Sequence, residues 1–302
     1  MLSQEALMVK SMMMSAKMRS QPNPDPNVQD QRLGLEEMTR MLPIAPNVDI
    51  ENVIIRDIRA ELIAPRAIDN DTVIVYFHGG SYTAGSPATH RSLVSRICAT
   101  AKLKAYVVDY RLAPEHPYPS AIIDGVDFYL GLLEDGLDPN RIVLGGDSAG
   151  GGLCLAILFA LRERGIELPK GLFLLSPWTD LTASGDSVQL RSELDPWLRP
   201  DGLVIGAKAY LNGADPKDPK ASPIFGDYTN FPDTLLMVGT EEILYDDTVR
   251  IYDKMREVDV NAVLKIGEGL WHVWPAFAML PESNSAIDDI SSFINSLPTK
   301  AK

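Results

Sequence analysis

Cysteine is scarce in this chain: two residues, Cys98 and Cys154, among 302. That excludes a disulfide framework as the source of stability. None is needed at this length, because 302 residues that are 45% hydrophobic can bury a sizeable core. Both cysteines stand in apolar stretches of helical character. They read as small buried hydrophobes in a reducing compartment rather than as redox thiols. Histidine is also sparse, with four scattered residues, so no zinc-type cluster is visible. Basic residues are outnumbered, 28 Lys and Arg against 41 Asp and Glu, for a formal net charge of −13. Such a surface repels phosphate backbones, which argues against nucleic acid as a partner. No apolar run reaches the roughly 18 residues of a membrane span. Near the N-terminus Met8, Met12, Met13 and Met14 are interrupted by Lys10 and Lys17, unlike the clean apolar stretch of a signal peptide. The expected location is cytoplasmic, with no membrane partner.

What the chain does contain is an alternation. Short apolar runs at Val73–Phe77, Ala105–Val108, Arg141–Leu144, Leu172–Leu175, Leu235–Val238 and Ala262–Ile266 read as strands. Helix-like segments near 89–101, 119–135, 149–164, 245–257 and 284–296 separate them. Continuous apolar strands alternating with helices predict an α/β protein whose mostly parallel sheet is covered by helices on both faces. An opening strand or hairpin is expected over 52–64.

Two stretches stand outside the alternation. Residues 1–46 read as a Met-rich helix over 2–19, a proline-rich break over 21–27 and a second helix over about 29–42. Residues 180–222 carry Pro, Gly, Asp and Ser plus a helix near 202–211, and long insertions of this kind are usually functional. The expected organisation is a helical lid of residues 1–46, aided by 180–222, over a catalytic domain of 47–302.

Gly146-Asp147-Ser148-Ala149-Gly150 matches G-x-S-x-G. It follows a buried-strand pattern and precedes a helix pattern, the context in which that motif exposes a strained nucleophilic serine. His78-Gly79-Gly80-Ser81 follows the strand Val73–Phe77. Acyl transfer needs N–H donors aimed at a developing oxyanion, and small residues let a loop bring its backbone that close. Gly79, Gly80 and Ser81, with Ala149 after the nucleophile, are the candidate donors. A serine hydroxyl also needs an imidazole to take its proton. His78 reads as a loop-holding residue, His116 is boxed by prolines, and His90 reads as exposed on a helix. His272, just past the last strand, remains as the base. The carboxylate that fixes its tautomer is open among Glu241, Glu242, Asp246 and Asp247, all following Leu235–Val238.

Taken together, these residues resemble the bacterial hormone-sensitive-lipase-like carboxylesterases over about residues 50–296. His78–Ser81 is similar to that family's HGGG loop and Gly146–Gly151 matches its GDSAGG. Asp109–Pro119 is similar to its DYRLAPEHPFP stretch, and His272 matches its catalytic histidine. Ser81 stands where the family has a third glycine. The family's DPLxD segment corresponds to Glu242-Ile243-Leu244-Tyr245-Asp246, so its catalytic aspartate falls on Glu242. The resemblance implies an α/β-hydrolase fold with a lid from N-terminal helices, and a serine hydrolase needing no cofactor. It also implies small-molecule esters of short to medium chain as substrates, and a homodimer as a frequent assembly. Tyr82, Trp178 and Trp197 are expected to contact substrate. An amidase would use the same residue types. A non-catalytic binder, like the gibberellin receptors that resemble this family, would have lost the histidine that is present here.

Overall fold

The computed structural model describes residues 1–20, 23, 27–69 and 71–298. Two helices come first, α1 (Gln4–Arg19) and α2 (Val28–Arg40). Ser3 caps α1 by accepting the Ala6 N–H, and Asn27 caps α2 by accepting the Gln29 N–H. Most of the expected proline break lies outside the described residues, Pro22, Pro24 and Pro26 included.

Strands β1 (Val48–Ile55) and β2 (Ile58–Pro65) then form an antiparallel hairpin, longer than the 52–64 expected. Its turn residues Arg56 and Asp57 both have positive φ, 47° and 65°, the hand that a two-residue hairpin turn requires. Neither is glycine or asparagine, so the sequence signal for this turn is weak.

The alternation follows: β3 (Val73–Phe77), α3 (Pro87–Ala101), β4 (Lys104–Val108), α4 (Ser120–Glu134), β5 (Ile142–Asp147), α5 (Ala149–Glu163) and β6 (Gly171–Leu175). It lapses where the sequence reading placed the insertion, which carries a single turn, α6 (Ser187–Leu190), and α7 (Pro200–Leu211). It resumes with β7 (Asp233–Gly239), α8 (Tyr245–Glu257), β8 (Ala262–Gly267) and α9 (Pro281–Ser296).

The strands form one eight-stranded sheet in the order β1-β2-β4-β3-β5-β6-β7-β8. From β4 to β8 every neighbouring pair is parallel, and β2 meets β4 antiparallel. Every residue of β3, β5 and β6 is buried, because helices cover both faces. Leu155, Ile157 and Ile251 of α5 and α8 pack with Tyr129 of α4 on one face. Leu93, Ile97, Ile290 and Ile294 of α3 and α9 cover the other. Cys98 and Cys154 are buried and unpaired, one in each core cluster. Edge strand β8 is only half covered, with Val263 and Ile266 exposed.

Parallel strands share one C-terminal edge, and loops from several strands can meet there. Here the loops after β3, β5, β7 and β8 bring His78–Ser81, Ser148, Glu242 and His272 to that edge.

Candidate active site

Ser148 occupies the one-residue step from β5 into α5, with φ 52° and ψ −124°. Left-handed φ at a serine is strained, and it persists only where the surroundings over-determine it. Three hydrogen bonds fix this backbone: Ser148 N–H to Leu175 O at 2.9 Å, and Ser148 O accepting from Trp178 and Gly152 N–H at 2.8 and 3.2 Å. The flanking glycines are obligatory. A Cβ on Gly146 would lie 2.5 Å from Gly150 O, and one on Gly150 would lie 2.0 Å from Phe77 O. The Ser148 hydroxyl does not cap α5, so it is left for the cavity it faces.

His272 follows β8 and is almost wholly buried. Its Nδ1 lies 2.8 Å from Glu242 Oε2. The carboxylate is fully buried, and its other oxygen accepts from Ser176 Oγ at 2.8 Å and Gly239 N–H at 2.6 Å. Ser176 Oγ accepts in turn from Val273 N–H at 3.0 Å, tying the Glu242 loop to the His272 loop. Nδ1 bound to a carboxylate leaves Nε2 as the free nitrogen of the ring. Burial opposes protonation of His272, but the Glu242 hydrogen bond and charge, with the charges of Asp195 and Asp147, outweigh it. The imidazole therefore titrates above an ordinary histidine. No hydrogen bond joins His272 to Ser148 Oγ, a contact that in unliganded enzymes often tightens only around substrate.

The loop after β3 curls tightly, with positive φ at Gly80, Ser81 and Tyr82 of 117°, 56° and 61°. Among the described residues no protein acceptor takes the N–H of Gly80, Ser81 or Ala149. Gly79 differs from the sequence expectation. Its N–H donates to Asp147 Oδ1 at 3.1 Å, so it anchors the loop instead of offering a free donor. Asp147 also accepts from Tyr76 Oη at 2.7 Å and lies 3.3 Å from His90 Nε2. His90 is thus a partly buried partner of Asp147, not the exposed helical residue expected. Burial works against its charge, yet Asp147 lifts its titration above the usual range. His78 holds the loop as expected, with Nδ1 2.8 Å from Gly79 O and its ring stacked on Tyr110 at 4.3 Å. Burial, then the nearby His90, pushes it down to about 3, so it stays neutral.

The other carboxylates near β7 do other work. Glu241 pairs with Lys10 of α1. Asp246 accepts the Ser187 N–H at 2.8 Å and so fastens the insertion. Asp247, fully buried, accepts from Thr179 and Asp180 N–H at 2.7 and 2.9 Å, and burial pushes it up to about 7.

Ser148 and His272 open on a cavity of about 1000 Å³. Its walls include Met12 and Met13 of α1, Leu35 and Met38 of α2, and Leu203 and Ile205 of α7. Trp197 lines it, set edge-on to His272 with ring centroids 5.9 Å apart. Tyr82 and Trp178 do not line it. Both are buried behind the curled loop, where Tyr82 stacks on Tyr210 at 3.8 Å and lies 6.1 Å from Trp178. The left-handed turn at Ser81 and Tyr82 directs that ring into the core, and the sequence around Tyr82 gives no sign of it.

Sequence reasoning missed Ser176 and Asp195. Ser176 carries positive φ, 48°, at the end of β6, but a serine before a proline is no distinctive signal. Asp195 lies in the insertion, distant in sequence from every motif.

The fold and this arrangement define an α/β hydrolase. The model of the α/β-hydrolase-fold family matches residues 74–276. An esterase of Acinetobacter venetianus is 38% identical over 265 residues, covering 87% of each chain. An acetyl-hydrolase of Streptomyces hygroscopicus is 39% identical over 236 residues, 78% of this chain and 79% of its own. Among solved structures, an esterase of the bacterial hormone-sensitive lipase family superposes with a TM-score of 0.93 at 36% identity, covering 98% of this chain and 99% of its own. The chain belongs to the α/β-hydrolase family and, within it, to the bacterial hormone-sensitive-lipase-like esterases.

Proposed function

We propose that the protein hydrolyses carboxylic esters of short to medium acyl chain through Ser148, His272 and Glu242, by way of an acyl-enzyme. The observation that carries this reading is the buried Glu242–His272 hydrogen bond of 2.8 Å, whose imidazole borders the same cavity as the strained Ser148. The names of its relatives, esterase and acetyl-hydrolase, support ester chemistry. One similar solved esterase, 37% identical, is paired with PMSF, a sulfonyl fluoride that reacts with activated hydroxyls.

In this reading Ser148 Oγ attacks the ester carbonyl carbon while His272 Nε2 takes its proton. The carbonyl electron pair moves to oxygen, where the N–H groups of Gly80, Ser81 and Ala149 receive it. Glu242 keeps Nδ1 protonated and stabilises the imidazolium. Collapse expels the alcohol oxygen, which takes the proton from His272 and leaves the acyl group on Ser148. Water, deprotonated by His272, then attacks the acyl carbon, and the acid and free serine result.

The test pairs labelling with turnover. A fluorophosphonate should modify Ser148 stoichiometrically. Ser148→Ala should lose roughly 10⁶ in kcat on p-nitrophenyl butyrate with folding unchanged. A variant keeping more than about a tenth of wild-type kcat would overturn the reading.

A further inference from the structure

Asp195 is a fully buried carboxylate in the insertion, between α6 and α7. Its two oxygens face in different directions. Oδ1 accepts from Trp197 and Leu198 N–H, both at 2.8 Å, and fixes the turn that sets the Trp197 ring against His272. Oδ2 accepts from Ile243 N–H at 2.9 Å, the amide directly after Glu242. The Asp195 carbonyl oxygen is held as well. Lys17 Nζ of α1 donates to it at 2.6 Å, and to the carbonyls of Ser192 and Leu198 at 2.8 and 2.7 Å. One side chain thus joins the Glu242 loop to the segment that walls the cavity, and its own backbone is tied to α1.

We infer that Asp195 is a positioning residue for the triad, locking the Glu242 backbone and the Trp197 wall into one unit around His272. This rests on the Ser148–His272–Glu242 reading above. The physical need is clear. Glu242 and His272 sit on separate loops, and a misplacement of about 1 Å at a reacting group costs on the order of 100-fold in rate. A carboxylate accepting three backbone N–H groups is a rigid tie. An asparagine in its place must turn an NH₂ toward at least one of those donors. Asp195 also adds negative charge near His272, alongside Glu242 and Asp147, while Lys17 faces Asp195 from α1.

The experiment uses the full chain, with concentrations of competent sites set by fluorophosphonate titration of Ser148. Asp195→Asn should lose about tenfold or more in kcat per titrated site, with a smaller change in KM. The acidic limb of its kcat/KM profile should move to lower pH, because a negative charge that favoured imidazolium is gone. Asp195→Glu, which restores the charge with an extra methylene, should recover the limb and part of the kcat. A group that only stabilises the fold would lower Tm but leave kcat per titrated site and the limb in place, and that result would overturn the proposal. If neither variant shows a cooperative thermal transition, Asp195 is a folding residue and the proposal likewise falls. If wild-type protein is not labelled at Ser148, the triad reading itself fails, which is a separate outcome.

Discussion

At the scale of single residues, Glu242 makes three contacts that a neutral amide cannot reproduce. Ser176 Oγ, Gly239 N–H and His272 Nδ1 all approach its two oxygens as donors. Glutamine supplies one oxygen and one NH₂, so one approach becomes donor against donor, or the imidazole takes the wrong tautomer. Glu242→Gln should therefore lose roughly 10⁴ in kcat. Asp246→Asn should stay within about tenfold, because an asparagine oxygen can still accept the Ser187 N–H. Steady-state kinetics on both variants checks the assignment, and a larger loss for Asp246→Asn would reverse it. The pH dependence follows from His272. Only the neutral ring accepts the serine proton, and the protein raises this histidine above its ordinary value. The acidic limb of kcat/KM should thus have its midpoint above about 6.5, activity falling as pH drops through it. A profile flat to about pH 4.5 would remove His272 as the base.

At the scale of elements, α1 makes the most specific contacts of the two N-terminal helices. Ser3 bonds Glu282, Lys10 pairs with Glu241, Lys17 binds three carbonyls of the insertion, and Arg199 donates back to the Lys17 carbonyl. Of its five methionines, Met18 is exposed near the C-terminal end and the other four divide. Met12 and Met13 border the cavity, Met14 faces Ser192 and Arg199, and Met8 is exposed. If α1 covers the site as a lid, removing residues 1–20 strips apolar wall and admits water. The truncated protein should show a KM for p-nitrophenyl butyrate raised about tenfold or more, or no activity. Unchanged kcat/KM in a folded truncation would show that α1 is not the lid. The strands and helices of the catalytic region were legible because burial on both faces writes continuous apolar runs into β3, β5 and β6. The β1–β2 turn was not, since Arg56 and Asp57 adopt left-handed backbone without the glycine that would announce it.

At the scale of the molecule, the cavity and the charge act together. Exposed Gln31, Lys208 and Asn212 stand on its lining, so a long acyl chain leaving the apolar interior meets a polar rim. Among the described residues no helix is long and apolar enough to cross a membrane, and the net charge is −13. Turnover should be highest on dissolved esters of roughly two to eight acyl carbons and decline steeply beyond, with no jump at emulsion interfaces. A p-nitrophenyl ester series across the critical micelle concentration tests this. Rates rising with chain length, or a break at the interface, would contradict it.

The sequence by itself determined the alternating α/β plan and the strand–Ser148–helix step, and it singled out His272 as the candidate base. Each is written in local pattern: apolar runs, a glycine pair around a serine, one histidine after the last strand. Residues alone left four carboxylates open after β7, and resemblance chose Glu242. In the tertiary structure it is Glu242 whose side chain meets His272, a contact across 30 positions. Tertiary structure alone decided that Gly79 gives its N–H to Asp147, that Tyr82 and Trp178 turn into the core, and that Asp195 joins the insertion to the Glu242 loop. The reason is physical. Burial periodicity is a property of neighbouring residues, whereas which donor meets which acceptor depends on how distant loops converge at the edge of the sheet.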